Sequence, residues 1–159
     1  MFSVSDSKIK NAVSALIGAG TALWGWFGWL IIVWVVAMGL DYLTGTMAAL
    51  KDGEWNSQRA RDGLWHKAGM ILAVAVAGIA DLALGLIVRQ TGVALPFEYG
   101  TVIAPLVISW YCLTELGSVL ENAVALGASV PGWLRKLLKI SAESVDKRGE
   151  GMLPGEEEK

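Results

Sequence analysis

The chain has 159 residues, 54% of them apolar and 18% charged, with a net charge of −2 and a mean hydropathy of +0.50. Soluble domains usually run about 45–50% apolar and about 25% charged. No Lys, Arg, Asp, Glu or His occurs between Asn11 and Leu40, a run of 30 residues, whereas about 20 residues of helix span a bilayer core. A soluble enzyme is excluded on these grounds. The charge balance offers nothing to hold nucleic acid. One cysteine (Cys112) and one histidine (His66) supply neither a disulfide, nor a metal site, nor a catalytic cluster, so no cofactor or metal is expected.

In chain order, residues 1–23 read as an interfacial helix, because Ile9, Val13, Leu16 and Ile17 share a face away from Lys8 and Lys10. A cleaved signal peptide fits poorly, since the apolar run continues well past any small-residue cleavage site. Three transmembrane helices follow at about 24–49, 67–88 and 99–120. Their lone charges are Asp41, Asp81 and Glu115, apart from Lys67 at the start of the second. Trp24, Trp26, Trp29, Trp65 and Tyr99 lie near the boundaries, where amphipathic rings anchor. Lys67 and Arg89 cap the second span and can snorkel to headgroups, and Pro105 is expected to bend the third.

Residues 131–140 form a short basic amphipathic helix. Trp133, Arg135, Lys136 and Lys139 are expected to meet an anionic membrane surface. Residues 141–159 read as a disordered, acidic tail that cannot bury enough apolar area to fold. The fold class is thus an all-α integral membrane protein with three spans. Four Lys and Arg residues lie between Lys51 and Lys67, and Arg135, Lys136 and Lys139 follow the third span. The positive-inside rule then places the first loop and the C-terminus in the cytoplasm.

Two stripes of small residues stand out. The first span carries Ala37, Asp41, Gly45 and Ala49, and the second carries Gly69, Ala73, Ala77, Asp81 and Gly85, each at a spacing of four. Small residues at that spacing let helix backbones approach closely in lipid. Each stripe also holds an acid. Asp near mid-bilayer costs about 2.5–3.5 kcal/mol on insertion scales, so these acids should seek protein or water. Glu115, Ser118 and Asn122 form a polar cluster late in the third span, suited to hydrogen bonds between helices.

Two motifs frame this arrangement. Asp41-Tyr-Leu-Thr-Gly45 lies in the first span, and Glu115-Leu-Gly-Ser118-Val-Leu-Glu121-Asn122 lies in the third. Their order and spacing, from Leu30 to Leu138, resemble the phage holins of the toxin-secretion and phage-lysis (TcdE-like) group. The resemblance implies a non-enzymatic inner-membrane protein. Such a protein forms a homo-oligomer in the lipid bilayer, permeabilises it and releases an endolysin or toxin cargo, in some systems against an antiholin partner. Two alternatives remain open at this point. One is a small proton or ion channel or transporter using Asp41, Asp81 and Glu115. The other is a non-conducting antiholin or scaffold.

Overall fold

A computed structural model describes residues 3–95 and 102–153. Four helices appear: α1 (Ser3–Lys51), α2 (Ser57–Thr91), α3 (Ile103–Ala125) and α4 (Gly132–Glu150). Among the described residues there is no strand. The protein is an all-helical membrane protein, with three helices long and apolar enough to cross: Gly25–Lys51, Ser57–Thr91 and Ile103–Ala125.

Helix α1 is two helices joined at Gly25, whose backbone lies at φ 55° and ψ −144°. A side chain there would meet the steric penalty that keeps L-residues out of positive φ. The break divides the N-terminal helix from the first span within one residue of the expected boundary. Helix α2 begins at Asn56, whose side-chain oxygen accepts the Arg59 N–H at 2.7 Å. At about 1.5 Å per residue its 35 residues span more than a bilayer core. Its charged first turns therefore project beyond the hydrocarbon. Residues 99–101 of the expected third span, and 154–159 of the expected tail, lie outside the described residues.

Helix α3 is the centre of the bundle. It packs against α1, α2 and α4, whereas α1 and α2 barely meet. The core joins Trp34 and Met38 of α1, Met70 of α2, and Ile108 and Cys112 of α3. Trp34 stacks on Tyr111 at 6.2 Å between ring centroids. The opposite faces of the spans are apolar and bare. Ile71, Leu72, Val76, Ile79 and Leu82 of α2 are all more than half exposed. So large a continuous apolar surface would not stay in water.

Two expectations need correction. Pro105 falls in the first turn of α3, where its missing N–H would have no partner within the helix; the expected bend has no cause. And residues 141–150 are helical rather than a disordered tail. Leu134, Leu138, Ser141, Ala142, Val145 and Gly149 are partly shielded while the residues between them are exposed. That helical period carries α4 along α3 well past residue 140. Polarity alone pointed to a tail, whereas one packed stripe is enough to hold the helix.

Candidate functional site

The polar residues of the spans gather at two levels. The first lies ten residues from one end of each span: Asp41 before Lys51, Lys67 after Ser57, and Glu115 before Ala125. Ten residues of helix rise about 15 Å, so the three side chains stand at one height. Lys67 Nζ donates to Asp41 Oδ2 at 2.9 Å and to Glu115 Oε2 at 2.5 Å. Asn122 Nδ2 donates to Asp41 Oδ1 at 3.0 Å and to Thr44 Oγ1 at 3.1 Å. The side chains of Lys67, Asp41 and Glu115 are 13%, 22% and 6% exposed. One cation therefore ties two carboxylates, one from each flanking helix.

Lys67 thus turns inward, and the expectation that it snorkels to headgroups is corrected. The carboxylates beside it outcompete the lipid surface because they sit at its own height. Gly45 explains how α3 comes so near. A Cβ on Gly45 would lie 3.4 Å from Asn122 Nδ2, already in contact, so a side chain larger than a methyl would press on the amide. Nearer the helix ends, a polar crevice of about 400 Å³ reaches this cluster. Trp55, Arg59, His66, Ser118 and Glu121 are among its walls. Lys51 Nζ closes the same end of the bundle by donating to Ala125 O at 2.7 Å, where a cation suits the exposed carbonyls of a helix C-terminus.

The second level is Asp81. Its Oδ1 accepts the N–H groups of Val102 at 3.3 Å and Ile103 at 3.1 Å, and its Oδ2 accepts that of Ala104 at 2.8 Å. A helix leaves its first four N–H groups without internal partners. At the start of α3 Asp81 takes three of them, and the fourth position is Pro105, which has none. Leu106 N–H then begins the helical pattern by donating to Val102 O at 3.0 Å. A carboxylate of α2 is thus the N-terminal cap of α3, with the favourable end of the helix dipole behind it. That solves, within one chain, the problem of burying both an acid and a helix end at bilayer depth.

The small-residue stripes divide. Ala37 is buried, Gly45 receives Asn122, and Ala49 borders the crevice. On α2, Ala77 and Asp81 are buried and Ala73 and Gly85 half-buried, but Gly69 is exposed with nothing within 4 Å of its Cβ position. The acids do not need further copies of the molecule to shelter them. Sequence reasoning missed Lys67, Thr44 and the backbone of residues 102–104 as their partners. The signal for Lys67 was its equal distance from a helix end.

Helix α4 presents a third polar feature. Arg135, Lys136, Lys139, Glu143, Asp146, Lys147 and Glu150 project within about 120° of the helix, alongside its α3-packed stripe. Beside that arc, Trp133, Leu137 and Ile140 are exposed.

Three apolar spans around a shared ionic cluster define a polytopic helical membrane protein. Among the described residues, no group of His, Cys, Asp and Glu could hold a metal ion. Residues 18–143 match the bacteriophage holin family, and the chain belongs to that family. It is 27% identical over 135 residues to an uncharacterised protein of Halalkalibacterium halodurans, covering 85% of this chain and 94% of the other. A second uncharacterised protein, from Listeria monocytogenes, is 31% identical over 134 residues, with 82% and 86% covered. A 14.9 kDa protein of Clostridium perfringens, encoded in the nagH 3′ region, is 27% identical, with 82% and 96% covered. No solved structure gives a significant match.

Proposed function

We propose that this holin-like membrane protein oligomerises in the bacterial inner membrane and permeabilises it, so that an endolysin or another protein cargo escapes. The observation that carries this reading is family membership across residues 18–143, which takes in all three spans. The function is physical, not enzymatic. The first loop and the start of α4 lie on the cytoplasmic side, in keeping with Lys51, Arg59 and Arg61 in the one and Arg135, Lys136 and Lys139 in the other. The outward surface of α2 supports self-association. Its exposed positions from Gly69 to Ile87 are all apolar, and Gly69 leaves room there for a neighbouring backbone.

Controlled expression in bacteria tests the reading. Membrane potential should collapse and a large dye should enter, and a co-expressed endolysin should then lyse the cells abruptly. Accumulation in the membrane with the potential intact and no dye uptake refutes it. Graded, pH-dependent flux of small ions with large dyes excluded would instead identify an ion channel or transporter. Delay of lysis by a second lesion-former would identify an antiholin.

A further inference from the structure

Helix α4 folds back from the α3–α4 turn and runs antiparallel to α3. Its far end, at Val145, Gly149 and Leu153, shares a crevice with Leu106, Val107 and Trp110 of α3 and with Ala73 of α2. Those α2 and α3 residues lie inside the spans, beyond the level of Lys67 and Glu115. The second half of α4 therefore stands at hydrocarbon depth. It carries Glu143, Asp146, Lys147 and Glu150 there, all exposed, with Asp146 and Glu150 at the rim of that crevice and Glu143 and Lys147 beside them. Lipid cannot cover four ionised side chains at that height, whereas water can.

We propose that this charged side of α4 lines the aqueous lumen of the assembly, in the half of the membrane nearest the α3–α4 turn. The inference rests on the permeabilising reading and names the wall of the opening. The acids of the three spans are poorly placed for that task, because Asp41 and Glu115 share Lys67 and Asp81 caps α3. The mixed signs along α4 suit a wide, water-filled passage rather than a selective filter. Copies of the chain, side by side, would present one such helix each.

The full-length chain in liposomes holding a large dye provides the test. Wild type should release dye. Glu143→Leu with Lys147→Leu should slow release by about tenfold or more, by making the wall apolar, with membrane insertion unchanged by protease protection. Glu143→Gln with Lys147→Gln should release dye at close to the wild-type rate, since a polar wall still wets. Val107→Cys with Gly149→Cys, on a Cys112→Ala background, should keep releasing dye when a short thiol crosslinker ties α4 to α3. Undiminished release by the leucine pair overturns the inference, as does a tied chain that stops and recovers when the crosslinker is cleaved. In both cases the permeabilising reading stands. A wild-type chain that releases nothing overturns the reading itself.

Discussion

Replacing Lys67 by leucine would leave Asp41 and Glu115 facing each other without a cation. In the native bundle Lys67 Nζ reaches both carboxylates, and all three side chains are more than three-quarters shielded. Removing one partner of a buried ion pair costs about 3–5 kcal/mol, because the remaining charge stays behind unpaired. For a chain of this size each kcal/mol moves the melting temperature by about 2–4 °C, so a loss of about 6–20 °C is expected. The measurement is thermal unfolding of the full-length chain in one fixed detergent, followed by circular dichroism. Combining Lys67→Leu with Asp41→Asn and Glu115→Leu should recover most of the loss, because apolar replacement of a whole buried ionic cluster is often neutral or favourable. A Lys67→Leu chain melting within about 1 °C of wild type, well inside that range, would refute the cluster as a structural tie. So would a triple variant less stable than the single one.

Asp81→Ala should destabilise the chain by about 1–3 kcal/mol, the cost of leaving buried donors unmet. Asp81→Asn should cost less, because one acceptor oxygen remains, and hydrogen exchange at Val102, Ile103 and Ala104 would report the difference. Gly45→Ala should be near neutral, since its Cβ would sit 3.4 Å from the Asn122 amide. Gly45→Leu should lose about 1–3 kcal/mol by overfilling the same space, read as a lower melting temperature. Gly69→Leu should leave monomer stability intact and reduce crosslinking between copies. Ala77→Leu, at a buried position, should lower both, and an unchanged crosslinking pattern in Gly69→Leu would remove α2 as the contact surface.

The three spans were legible because lipid imposes a simple rule: long apolar helices with few charges. The positions of Asp41, Asp81 and Glu115 were equally plain. What they touch was not, because a carboxylate in a span can be met by another copy, by water or by its own chain, and hydropathy is the same in each case. Lys67 read as a surface anchor because it opens an apolar run. Only its height, shared with two acids on other helices, sends it inward. Pro105 read as a kink for a similar reason. Its meaning changes once α3 starts at Ile103, two residues before it. The extent of α4 was hidden by its charge content, since the shielded positions from Leu134 to Gly149 include Ser, Ala and Gly rather than large apolar residues.

The internal pairing of the acids changes where assembly must be sought. An intramembrane acid without a partner would drive copies together, since gathering would be the cheapest way to satisfy it. Here Lys67, Asn122 and the start of α3 supply partners within one chain, so a single copy is tolerable to lipid across its three spans. The driving force between copies then rests on the bare apolar side of α2 and on backbone contact at small residues such as Gly69, which is worth little per contact in a membrane. Weak contacts of that kind give dilute monomers and crowded assemblies, with density as the control. On the permeabilising reading, the abruptness of release follows from the number of copies in the membrane rather than from any ligand.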